Sequence, residues 1–151
     1  MLAWALWLGG LVTLFICVMT LFSKEHALAQ QAAPLLFLAF EKFQLIIAAI
    51  ALTSTFAWRL SSHTVLLNSL FIVLALASIG AAFSPMYFTK KMEILRAEGR
   101  QKSPEFQRLH GQSMMIYSGE TGLLLIGGMV LFAAMRRPTV LPVESEAARP
   151  A

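Results

Sequence analysis

Apolar residues run along this chain in four long blocks, 2–22, 35–58, 64–83 and 114–135, separated by shorter polar stretches. A hydrocarbon core about 30 Å thick needs roughly 20 apolar residues in a helix, and each block meets that length. No strand-length alternation bounded by turn residues competes with them. The pattern predicts an all-α fold, a four-transmembrane-helix bundle over 1–137, integral to a membrane and with no room for a soluble domain.

The connectors carry their own signals. Residues 23–33 are polar and end at Pro34, which suits the first turn of the second helix. Residues 59–63 form a tight turn, and 84–109 is the only sizeable loop. The tail, 138–151, holds three of the six prolines and is expected to be disordered. Within the long loop, Pro85 is expected to end or kink the third span. Phe88, Met92 and Leu95 recur at i, i+4, i+7, with Lys91, Arg96 and Arg100 off that stripe. This predicts a short basic amphipathic helix on the cytoplasmic leaflet, where each cation gains ~1 kcal/mol from anionic lipid; a solvated charged loop is the other reading. Gly99 should close that helix, and Ser103-Pro104 supplies an N-cap and a first-turn proline, so the last helix should start near Pro104.

Charge orients the bundle. Lys24, Lys42, Lys90, Lys91, Arg96, Arg100, Lys102 and Arg108 lie towards one side, and Arg59, Arg136, Arg137 and Arg149 towards the other. Eight against four places the long loop in the cytoplasm and both termini outside, with a bacterial inner membrane as the expected location. Ala27-Leu28-Ala29 has the form of a signal-peptidase site, but no positive region precedes Trp4 and the first apolar run is too long for a signal core, so cleavage is not expected.

Composition removes whole classes of function. The chain is 58% apolar and 13% charged, against roughly 45–50% and 25% in soluble domains. That excludes a soluble enzyme, a disordered region and a nucleic-acid module, despite a net charge of +4. A single cysteine, Cys17, excludes an intramolecular disulfide framework. All eight acids are glutamates, so no Ser/His/Asp set exists, and no HExxH, P-loop or Gly-rich dinucleotide turn is present. No catalytic activity is expected; an intramembrane enzyme built on Glu120, His110 and Tyr117 is the remote alternative.

Polar residues inside apolar blocks are the candidate chemistry, because a charge at membrane depth costs at least ~2.5–3.5 kcal/mol. On the last helix His110, Ser113, Tyr117, Glu120 and Thr121 fall within roughly 100° of arc. On the second helix Glu41, Lys42 and Gln44 interrupt an apolar run. Both helices enter from the cytoplasmic side, so Glu120 should lie roughly level with Lys42 and Gln44, and a Glu120–Lys42 ion pair would relieve both charges. These residues predict a polar pocket in the cytoplasmic half, set against the plainer reading that they glue helices together at ~0.6–2 kcal/mol per contact. Small residues, Ala75, Ser78, Gly80, Ala81 and Ala82 with Ser118 and Gly122, are expected to pack helices closely. A sharper alternative is copper: Cys17, His110 and Met114 are soft ligands, with no Met or His ladder to extend them. Haem is disfavoured, since His26, His63 and His110 all sit at span ends or in loops.

Two sequence elements resemble a known family. The loop and last helix read Pro85, then Met92-x-x-Leu95-Arg96-x-Glu98, then Phe106-x-Arg108-Leu109-His110-Gly111-x-Ser113; the first helix carries Trp7-Leu8-Gly9-Gly10 and ends in Leu21-Phe22. Together these resemble the four-helix membrane proteins called domain of unknown function 4149, which include proteins similar to transmembrane protein 205. The resemblance covers about 1–137. It implies the same topology and marks Arg108, His110 and Ser113, but implies no reaction. The chain departs from that pattern at Thr20, where a proline is frequent, and at Glu41-Lys42. The functional expectation is a protein that handles a small solute or cation through the polar pocket, with Glu120 at its centre and His110 at its mouth. A non-catalytic accessory or scaffold subunit of a larger membrane complex, or a homo-oligomer, is the alternative.

Overall fold

The computed structural model describes residues 2–136, and every apolar block in it becomes helical. The elements are α1 (Leu2–Lys24), α2 (His26–Ser61), α3 (Val65–Phe83), a π-helical turn (Ser84–Thr89), α4 (Lys90–Ala97) and α5 (Pro104–Arg136). No strand occurs among the described residues. Four helical runs are long and apolar enough to cross a membrane: α1, α2, the continuous Val65–Ala97 run and α5. The expected disordered tail, 138–151, lies outside the described residues.

Short connections make neighbours antiparallel. α1 packs on α2, α2 on α3, α3 on α5, and α5 closes the ring against α1. α2 and α5 therefore run parallel and face each other across the diagonal. The core is continuous through all four, from Trp7, Leu11 and Leu14 on α1 to Phe40, Ile47 and Ala51 on α2, Leu67, Leu70, Leu74, Ala77 and Ala81 on α3, and Tyr117, Leu124 and Leu131 on α5. On α5 the inward residues are Leu109, Ser113, Tyr117, Glu120, Leu124, Gly127 and Leu131, steps of four and three that keep one face turned to the core.

Two connectors are more continuously helical than expected. α2 begins at His26 and carries Pro34 inside it. The missing proline N–H costs one bond, but Ala27 to Ala33 are good helix formers, and Ala29 and Ala33 are buried on the inner side. Pro85 likewise fails to end α3. The helix passes it through the π turn and runs on to Ala97, where Gly99, with a positive φ of 71°, stops it. The stripe of Phe88, Met92 and Leu95 is buried with Leu109 against α5, joined by Phe106 and Ile116, so this apolar face meets protein rather than lipid. α5 starts at Pro104 as its cap predicts, with Ser103 Oγ accepting from the Phe106 N–H at 3.2 Å. The 36 residues of α2 span about 54 Å at ~1.5 Å each, well beyond a ~30 Å hydrocarbon core. The surplus of α2, α4 and α5 projects from one end.

At the opposite end α5 carries Gly127-Gly128, and the Trp4 ring fills the space a side chain would take at Gly128. Trp4 Nε1 also donates to Leu124 O at 2.7 Å. Gly128→Leu should therefore overpack this contact by about 1–3 kcal/mol. Exposed Gly119, beside which a Cβ would meet nothing, serves as the control. Thermal unfolding in detergent checks this, and equal midpoints for Gly128→Leu and Gly119→Leu would refute it.

Candidate functional site

The site is built where the diagonal helices meet. Tyr117, from α5, reaches across the bundle: its hydroxyl donates to Glu41 Oε1 on α2 at 3.0 Å, and its ring lies 5.7 Å from that of Phe37. Thr89, at the end of the π turn, donates its hydroxyl to the same Glu41 oxygen. Ser84, at the start of that turn, lies beside the Tyr117 hydroxyl without a hydrogen bond of its own. Glu41, Ser84, Thr89 and Tyr117 thus form one buried polar layer.

A second layer follows one turn further into the bundle. Because α2 and α5 are parallel and Glu41 is bonded to Tyr117, the residues three positions on, Gln44 and Glu120, are level with each other. Both point inward, at 0% and 2% exposure. Glu120 Oε1 accepts from Trp7 Nε1 on α1 at 2.8 Å. Gln44 Nε2 donates to Ala81 O on α3 at 3.3 Å. In an uninterrupted α-helix that carbonyl would accept from residue 85, and Pro85 has no N–H to give. The Gln44 amide therefore supplies a donor that Pro85 withholds, which is one reason the helix continues through the proline.

The two layers leave three buried side-chain atoms without a partner: Gln44 Oε1, Ser84 Oγ and Glu120 Oε2. All are oxygens. Among the described residues neither carboxylate has a counter-charge. Among the described residues the ion pairs are Arg100 with Glu98 and with Glu105, at 3.0 and 3.1 Å, all on the exposed α4–α5 connection.

The sequence-predicted residues divide accordingly. Glu41, Gln44, Tyr117 and Glu120 come together, and Ser113 is buried one turn from Tyr117. Lys42 does not join them: it is exposed, lying 100° around the helix from Glu41, while Gln44, three residues on, returns to the same face. The expected Glu120–Lys42 pair is replaced by the Trp7 indole. His110 is exposed, stacked on Phe106 with centroids 6.4 Å apart, and Arg108 is exposed on the same projecting end. Thr121 bonds back to Tyr117 O at 2.8 Å within its own helix. Of the soft-metal set, Cys17 is exposed in a groove between α1 and α2 with Gly9, Thr13 and Phe43, while His110 and Met114 lie on α5. No group of three or more His, Cys, Asp or Glu able to hold a metal ion occurs among the described residues.

Trp7, Ser84 and Thr89 belong to the site and were not singled out from the sequence. A buried indole N–H needs an acceptor, so Trp7 was a discoverable partner for a buried carboxylate; the two hydroxyls become visible only once the helix is seen to continue past Pro85. The principal clefts lie elsewhere. One, of about 340 Å³, opens near the chain termini beside Trp4, Thr55 and Trp58, and its lining includes neither glutamate. Neither this cleft nor the groove beside Cys17 is lined by Glu41, Gln44, Ser84, Tyr117 or Glu120. Compared with known proteins, the chain matches no family model, no curated protein and no solved structure.

Proposed function

We propose that this protein is an integral membrane four-helix bundle that takes up and releases a small cation at Glu41 and Glu120, with the projecting end in the cytoplasm. The observation that carries the reading is that both glutamates are almost fully buried, at 3% and 2% exposure, with no ion pair to either among the described residues. An isolated buried carboxylate is costly by several kcal/mol. It is relieved by binding a proton or a metal cation, so the site is built to gain one. Trp7, Thr89 and Tyr117 hold the carboxylates in place rather than neutralise them.

Cation flux in proteoliposomes tests this. With a pH-sensitive dye inside and proton, sodium or potassium gradients imposed in turn, the wild type should pass at least one of these ions above protein-free vesicles. Glu120→Gln and Glu41→Gln should each reduce that flux at least tenfold while remaining folded, and Lys42→Gln should retain it. Wild-type flux in both glutamine variants would end the proposal.

A second reading, an accessory subunit, has one observation in its favour. Ala5, Gly9, Thr13 and Cys17 line an exposed groove of small residues along α1, a surface on which another helix could approach closely. Stoichiometric co-purification of a partner, with no ion flux from the isolated chain, would favour it.

A further inference from the structure

We infer that Glu120, Gln44 and Ser84 together form a binding site for a hard monovalent metal cation of the sodium type. This rests on the reading of Glu120 as a cation-exchanging group and names what the site selects. Three lines converge on it. The unpartnered buried atoms are a carboxylate oxygen, an amide oxygen and a hydroxyl oxygen, one each from α5, α2 and the start of the π turn. All three side chains are at least 98% buried, Glu120 at 2% exposure and the other two at 0%. Oxygen donors favour hard cations, whereas copper would need the sulfur or imidazole ligands that lie elsewhere in this fold.

The second line is position. Gln44 is bonded to Ala81 O, which places its amide against the turn of α3 immediately before Ser84. Ser84 lies beside Tyr117, one helical turn from Glu120 on α5. The three residues therefore lie within about one helical turn of one another along the bundle, on α2, α5 and the end of α3.

The third is orientation. In two of the three donors the other polar atom is already engaged. Trp7 holds Glu120 Oε1, and Ala81 O holds the Gln44 nitrogen. Each bond fixes which oxygen is left over and keeps the side chain from turning to satisfy it, as outer partners orient the ligands of a metal site. The single carboxylate in the set matches a single positive charge. Glu41, one turn away, already accepts two hydroxyls and is not needed as a ligand.

Radiosodium binding to the purified full chain, with thermal unfolding in sodium chloride against choline chloride at equal ionic strength, tests the inference. Wild type should bind about one sodium per chain, and sodium should raise its unfolding midpoint saturably, as any ligand of the folded state does. Ser84→Ala, which removes a donor without adding bulk, should weaken sodium at least fivefold. Glu120→Gln should abolish binding, and Lys42→Gln should leave it unchanged. If Glu120→Gln does not fold, Ser84→Ala and Gln44→Leu decide the matter, and wild-type sodium affinity in both overturns the inference. Absence of sodium binding in the wild type also overturns it, leaving water or a proton on these oxygens; Glu120-dependent proton flux in vesicles would then keep the broader reading intact. Glu120-dependent stabilisation by copper or zinc but not by sodium would overturn the hard-ion assignment.

Discussion

Replacing Trp7 with alanine should cost about 3–5 kcal/mol of stability, among the largest effects of any single substitution in this chain. Trp7 is fully buried at the head of the core, and its indole nitrogen donates to Glu120 Oε1 at 2.8 Å. Two losses combine in the alanine variant: the volume of the ring, and the one donor that reaches a carboxylate with no cation near it. Trp7→Phe separates them, keeping most of the ring and removing the N–H. Leaving Glu120 with neither oxygen bonded should cost about 1–3 kcal/mol beyond any change in packing. That portion should vanish when Glu120 is replaced by leucine, because no acceptor then remains to be stranded. A double-mutant cycle of Trp7→Phe and Glu120→Leu, read by unfolding in detergent, should give a coupling energy of at least ~1 kcal/mol. Costs that add to within ~0.5 kcal/mol would mean that Trp7 acts through volume alone and does not orient Glu120.

The four long apolar helices are legible from length and hydropathy, since each apolar run is long enough to cross a membrane. Part of the inward set of α5 is legible too: of the five stripe residues, Ser113, Tyr117 and Glu120 turn inward on one face, while His110 is exposed and Thr121 half-buried. The same arithmetic applied strictly to α2 groups Glu41 with Gln44 and leaves Lys42 outside. The ion pair with Lys42 failed because matched height along two helices was given more weight than angle around them. The inward face of α1, which Trp7 marks, is illegible for a different reason. α1 is apolar on every side, so its composition does not tell which face turns inward. His110 and Arg108 show the converse: a patterned motif on a projecting helix end sits exposed, away from the buried layers. The short helix closed by Gly99 is legible in the long loop, but its continuity with α3 is not, because Pro85 announces a break while Gln44, which bonds Ala81 O, lies 37 residues from Ala81 in sequence.

That bridge makes the second large effect predictable. Gln44→Leu should destabilise the protein by about 1–3 kcal/mol, the cost of stranding a buried acceptor, because Ala81 O loses the donor that stands in for the absent N–H of Pro85. In a Pro85→Ala background the backbone has its own donor at residue 85, and the cost of Gln44→Leu should fall by more than half. Equal costs in the two backgrounds would show that the amide is not repairing the proline gap. The comparison also separates the two ends of one side chain. The nitrogen serves the helix and the oxygen faces the proposed ion, so Pro85→Ala should restore stability to Gln44→Leu without restoring its sodium affinity. Recovery of both together would mean that Gln44 shapes the site only by keeping α3 and the π turn continuous. Recovery of stability alone would make the amide oxygen a ligand in its own right.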